Sequence, residues 1–314
     1  MFKTPVLFLI FNRPEISQEV FKVIAEVKPE QLFIAADGPR LNNQEDILLC
    51  QKTREAILKL VDWPCELKTL FREKNLGCGL AVSQGISWFF SHVEAGIILE
   101  DDCLPNQDFF LFCQKMIQKY NNYPNIGMIS GTNFLLDGVY RESYFFSKYF
   151  SVCGWATWKK KWELYTDDLS DWNEIRKSSW LNTIFSNKNV VRFYIMFFDK
   201  LSERFDNTWD YWIYSLLRAD QLTITPTQNL ISNIGFEGAF MEKNHFHFLN
   251  LPLKKLDTNF LIEPNGIMQN IKLDALQFHN SKIDRFSLKV YFRVIFRDSF
   301  ILSIAYKIKN MLHI

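Results

Sequence analysis

Four short apolar runs alternate with segments of helical period over the first hundred residues, and this alternation narrows the choice of fold more than any other feature. The runs are Val6 to Phe11, Leu32 to Ala36, Leu67 to Phe71 and Gly96 to Leu99. After Pro14, which suits a first helical position, Ile16, Val20, Val23, Ile24 and Val27 recur at helical spacing. Ile47 to Val61 predicts a second helix. A turn at Asn75 to Gly79 then leads into a third helix from Leu80 to Ser91. Continuous apolar strands alternating with helices imply an α/β sheet covered on both faces, parallel in this part. In such sheets ligands bind beyond the carboxyl ends of the strands. The residues placed there are Asn12 and Arg13, Asp37 and Gly38, Arg72 to Asn75, and Glu100, Asp101 and Asp102.

The charge balance limits the partners. Lys and Arg number 36 against 35 Asp and Glu, so no overall field draws in nucleic acid. Thirty Phe, eleven Tyr and nine Trp suggest stacking surfaces or membrane contact as well as core. The cysteines form no CxxC pair and no dense framework, so they are expected to be reduced core residues in a reducing, cytoplasmic compartment. Pro5 to Phe11 is too short for a membrane span and is expected to be a buried strand.

Three consecutive acids where a buried strand emerges repel one another, and a cation at that point relieves the repulsion. Mg²⁺ or Mn²⁺ suits this place, since such ions take one or two carboxylates together with phosphate oxygens and water. A solvated acidic turn ahead of Phe109 is the plainer alternative. Asp37-Gly38-Pro39 suits a turn, or a carboxylate acceptor for a nucleobase; Arg13 suits surface charge, or a phosphate or base contact. Past about residue 140 tryptophans cluster, and Asp210 sits between Trp209 and Trp212 on an expected helix from Trp209 to Leu217. Partial desolvation there suits a general base, and indole faces suit sugar rings, although a packed amphipathic helix has the same pattern. His245 and His247 share a face if extended and could reach a metal or phosphate, or simply be structural. Arg285, Lys289, Arg293 and Arg297 form a cationic stripe at steps of four on a C-terminal helical segment, which fits either an anionic membrane surface or the domain's own flank.

Phe11-Asn12-Arg13, Asp37-Gly38, Asn75-Leu76-Gly77 and Ile98-Leu99-Glu100-Asp101-Asp102, in this order, resemble the nucleotide-sugar half of GT-A glycosyltransferases, which have a Rossmann-like mixed sheet flanked by helices. The resemblance is especially to the N-acetylglucosaminyltransferase I type, and also to bacterial family 2-like enzymes. The likeness covers residues 4–135 and thins beyond. Gly154-Trp155 and Trp209-Asp210-Tyr211-Trp212 are similar to that family's tryptophan-rich acceptor region, and Asn229 to Asn233 to its late donor-contacting segment.

The resemblance implies a nucleotide-sugar half over 1–135, an acceptor half over 136–280 and a basic tail over 281–314. It implies a metal-dependent, inverting transfer from a nucleotide-diphosphate sugar, a UDP-sugar foremost, to a saccharide or lipid-linked acceptor in bacterial surface polysaccharide synthesis. Arg13 and Asp37 would hold the base, with Asn12, Gly38, Arg72, Asn75 and Gly77 around the nucleotide. Glu100, Asp101 and Trp209 would contact nucleotide and sugar, and Ser232 the diphosphate. Asp102 would ligate Mn²⁺ or Mg²⁺, with His245 as a further ligand, and Asp210 would be the general base. The sequence departs from the family at Tyr211, where a second acid is usual, and near Leu80, where a phosphate-contacting histidine is missing; Arg72, Lys74 or His245 could stand in. Two other readings stand beside this one. A sugar nucleotidyltransferase would need a glycine-rich, basic loop after the first strand, which Phe11-Asn12-Arg13-Pro14 is not; a non-catalytic nucleotide-sugar or membrane-surface module would need none of the chemistry.

Overall fold

Odd and even residues of the first strand go to different cores, and the layered architecture follows from that. In the computed structural model, which describes residues 1–135, 138–203, 208–235 and 250–281, β1 (Val6–Ile10) is buried throughout. Val6, Phe8 and Ile10 join one apolar cluster, while Leu7 and Leu9 join another on the opposite face. β2 (Gln31–Ala36), β3 (Glu66–Phe71) and β4 (Ala95–Glu100) complete a parallel unit with β1 at its middle, in the order β3-β2-β1-β4.

The connecting helices are α1 (Pro14–Val27), α2 (Gln44–Lys59) and α3 (Cys78–Phe90). α1 contributes Val20, Phe21 and Ile24 to the Val6 face, whereas α3 contributes Ile86 and Phe89 to the Leu7 face. After β5 (Cys103–Pro105), α4 (Gln107–Tyr120) adds Phe109 and Phe112 to the Val6 face, so helices cover both sides.

Element types in this part follow the sequence pattern, and the differences lie at helix starts. α2 begins at Gln44 rather than Ile47 because the Asn43 side chain accepts the Asp46 N–H. α3 begins at Cys78 rather than Leu80, since the Ala81 N–H already bonds the Gly77 carbonyl.

The second part changes direction. β6 (Ile126–Ser130), β7 (Tyr144–Ser147), β8 (Trp155–Trp158) and β9 (Leu222–Pro226) extend the sheet to eight strands. β8 lies antiparallel between β4 and β6, so the sheet is mixed rather than parallel throughout. α5 (Lys159–Trp162), α6 (Trp172–Lys177), α7 (Trp180–Ile184), α8 (Lys188–Ser202) and α9 (Tyr211–Arg218) follow on the Leu7 face. β10 (Ile231–Asn233) pairs antiparallel with β5 in a separate two-stranded ribbon, and α10 (Ile271–Asn280) closes the described chain.

Of the two readings the sequence left open for the tryptophans, ligand-facing surface or core, burial favours core for most of them. Trp155, Trp158, Trp172 and Trp212 are each at most 2% exposed. Trp209 stacks on Trp155 with ring centres 5.7 Å apart, and Trp162 packs against Trp155 and Trp212. Trp180 is half-buried. Among the described residues no helix is long and apolar enough to cross a membrane. His245, His247 and the basic tail beyond Ser281 lie outside the described residues.

Candidate functional site at the strand ends

The loops at the carboxyl ends of the parallel strands are tied to one another by carboxylates. Asp37, just after β2, accepts from the Gly38 N–H, from the Leu76 and Gly77 N–H groups and from the Asn75 side chain. Its oxygens thus bind the turn ahead of α3, and a nucleobase contact would have to share them. Gly38 fits here because a Cβ would lie 2.5 Å from the Lys74 backbone, too close for any side chain. Asn75 also donates to the Gly38 carbonyl, and Gly77 opens α3 with φ of 80°. Arg72 points outward to Gln84, and its carbonyl, like that of Asp37, is held by Arg54.

Asn12 donates to Asp46, which also receives the Arg40 guanidinium. That hydrogen bonding from Arg40, ahead of the opposing effect of burial, holds the Asp46 carboxyl down at about 2. Sequence reasoning missed Asp46, although the spacing Asn43-x-x-Asp46 at a helix start was a usable signal.

Arg13 supplies the counter-charge that the crowded acids require. Its guanidinium pairs with both oxygens of Asp101 and, at 3.2 Å, with Asp102. Burial disfavours the guanidinium charge, but Asp101 and Asp102 outweigh it and hold its pKa above the ordinary value. Asp101 is 4% exposed, and burial raises its carboxyl to about 6 against the pull of Arg13. Glu100, at the end of β4, is pushed well above the usual carboxylate range, first by burial and then by Asp102, Asp101 and Asp210. Asp102 is the more open acid, with 18% of its side chain exposed.

Asp210 reaches this cluster from the other half of the chain. It precedes α9 rather than lying inside it, and the Thr208 hydroxyl donates to its carboxylate. It is close enough to add to the repulsion on Glu100 and on the Cys78 thiol. Cys78, in the first turn of α3, is exposed rather than core, and crowding by protein together with these acids raises its thiol to about 12. Sequence reasoning also missed Cys78, which no spacing singled out.

The ribbon of β5 and β10 covers the acids from one side. Ser232, 7% exposed, lies opposite Leu104, and the Ile234 N–H bonds the Asp102 carbonyl. A Cβ on Gly235 would lie 2.3 Å from an Asp102 side-chain oxygen, so a larger residue in this segment after β10 would displace the acid. The structure therefore brings Arg13, Glu100, Asp101, Asp102 and Asp210 into one cluster. Asn12, Asp37, Gly38, Asn75 and Gly77 form the loops beside it, and Trp209 lies in the core behind it. Among the described residues no three His, Cys, Asp or Glu side chains converge on a metal position. Two concavities, of about 310 and 530 Å³, lie beside Asp168 and beside Arg54; Arg72 lines the second, and none of Glu100, Asp101, Asp102 and Asp210 lines either. No protein-family model matches this chain, and no curated protein matches it.

Proposed function

We propose that the protein transfers a sugar from a nucleoside-diphosphate sugar to an acceptor hydroxyl. One observation carries the reading: Asp210, delivered by the second half of the chain, is within electrostatic reach of Glu100, the first of the three acids at the carboxyl ends of parallel strands. Here the nucleotide lies along the loops after β1, β2 and β3, with its diphosphate above Asp102 and near Arg13. Asp210 takes the proton of the acceptor hydroxyl as that oxygen bonds to the anomeric carbon, while the bond from that carbon to the diphosphate breaks. Glu100, its carboxyl raised above the usual range by burial and the neighbouring acids, hydrogen-bonds the sugar, and the Arg13 pair fixes Asp101 and Asp102 in position. A single displacement of this kind inverts configuration.

A divalent ion fits these residues only as one shared with substrate. Asp102 offers a single partly exposed carboxylate, one of whose oxygens also faces Arg13, and Mg²⁺ or Mn²⁺ with one carboxylate completes its shell from phosphate oxygens and water. Such an ion would stabilise charge on the departing diphosphate. A cytoplasmic enzyme of glycoconjugate synthesis fits the free thiols.

Thermal-shift titration with UDP- and GDP-sugars, with a CMP-sugar as the monophosphate control and with and without Mn²⁺, tests donor binding; ligand at a hundredfold its Kd stabilises by about 2.7 kcal/mol. Asp102→Ala is expected to abolish the Mn²⁺-dependent part. Asp210→Asn is expected to keep donor binding and slow transfer by roughly 10²- to 10⁴-fold, the usual contribution of a general base. Absence of any donor-induced shift, or wild-type transfer by Asp210→Asn, sinks the proposal.

A further inference from the structure

Cys103 and Cys153 are fifty positions apart in sequence, yet their sulfurs lie 3.2 Å apart. All six cysteines are free thiols, and among the described residues this is the one pair in mutual contact. Backbone bonds hold both partners. Cys103 starts β5 and pairs with Asn233. The Cys153 carbonyl accepts from the Thr132 hydroxyl at 2.7 Å, and the next carbonyl, that of Gly154, accepts from the Gly131 N–H. A disulfide bond is about 2.05 Å long, so closure asks for roughly 1.1 Å of approach along a line the two sulfurs already define.

The pair also touches the acidic cluster. The Cys103 thiol, next in sequence to Asp102, donates to the Asp102 carboxylate at 3.5 Å. Cys153 lies two residues before Trp155, on which Trp209 stacks beside Asp210. The pair therefore sits between the segments that carry the acids of the two halves.

We propose that Cys103 and Cys153 are a reversible dithiol that closes to a disulfide on exposure to a small disulfide oxidant such as glutathione disulfide. Cys153, half-buried where Cys103 is 2% exposed, meets the oxidant first. Its thiolate attacks one glutathione sulfur, and the other glutathione leaves as a thiolate that takes up a proton. Cys103 then attacks the Cys153 sulfur of this mixed disulfide, and the second glutathione leaves in the same way. Two protons and two electrons pass from the protein to the oxidant, which ends as two thiols. Closure removes the S–H that bonds Asp102 and fastens the acidic turn to the segment leading into β8. This chemistry does not depend on the transferase reading.

Full-length protein is equilibrated in glutathione buffers of increasing oxidised fraction, denatured with an alkylating reagent present, and mapped by peptide mass without reduction. The expected product is a cross-linked peptide pair joining residues 103 and 153 within one chain, two hydrogens lighter than the separate thiols and restored by dithiothreitol. Cys153→Ser, which leaves the buried Cys103 in place for folding, is expected to lose that pair and to accumulate no substitute link to Cys50, Cys65 or Cys113. A nucleotide-sugar thermal shift that differs between oxidised and reduced wild type, but not in Cys153→Ser, would further support the coupling to Asp102. The proposal is overturned if Cys103 and Cys153 are both recovered alkylated from the most oxidising buffer while the exposed Cys78 carries glutathione, or if the link forms only between two chains.

Discussion

The two halves of the molecule hold their acids by different means. In the first half the strand-end loops are fixed by polar clamps: Asp37 gathers the turn ahead of α3, Asp46 gathers Asn12 and Arg40, and Arg13 gathers Asp101 and Asp102. In the second half Asp210 follows Trp209, and Trp209 is held by aromatic packing on Trp155. Polar clamps can be removed one at a time, each at the cost of a few hydrogen bonds. An aromatic core fails as a unit, because each ring is a wall for its neighbours. The cluster is thus rigid on one side through directed bonds and on the other through close packing.

Four substitutions test this contrast, in falling order of effect. Trp155→Ala removes a ring that touches Trp162, Trp209 and Trp212, and it should cost about 3–5 kcal/mol in denaturant unfolding. A loss below 1 kcal/mol would mean that the second half does not depend on its aromatic centre. Asp37→Ala should cost roughly 2 kcal/mol and raise hydrogen exchange at Leu76 and Gly77 while leaving β8 protected. Spread of the exchange into the tryptophan region would contradict the idea of a local clamp.

Asp46→Asn should cost about 1 kcal/mol at neutral pH, since its Arg40 partner is half exposed. The sign with pH is fixed by the depressed carboxyl. Its contribution is fully present above the ordinary carboxylate range and disappears as pH falls toward about 2, so wild type and variant should converge there in acid unfolding. Glu100→Gln should have the smallest effect, less than about 0.5 kcal/mol at pH 7, because burial and the neighbouring acids already disfavour the charged form of this carboxyl and the amide replaces it closely in shape. A larger destabilisation would show that the Glu100 carboxyl makes favourable contacts that an amide cannot replace.

The first four strands and their helices were legible because each repeats a local pattern: an apolar run, a breaker and a helical period. The placement of Asp37, Gly38 and the three acids at strand ends followed from that order alone. The pairing of Arg13 with Asp101 and Asp102 was not legible, since 88 and 89 positions separate the partners and nothing local marks them as neighbours. The physical requirement for a cation beside the acids was sound, but a side chain of the same protein meets part of it. The insertion of β8 between β4 and β6 was equally hidden, because an antiparallel strand of two tryptophans around Ala156 and Thr157 looks the same as any short apolar stretch. Tryptophan density marked the second half correctly as distinctive and left open whether the rings faced a ligand or one another; burial decides for the latter.

The short ribbon of β5 and β10 governs when the protein can become whole. Residues 103–105 leave the acidic turn with an unpaired edge until residues 231–233 arrive to sheathe it. A ribosome that has released only the first half has made every acid of that turn but not its cover, so the paired ribbon over the turn can be completed only late in synthesis.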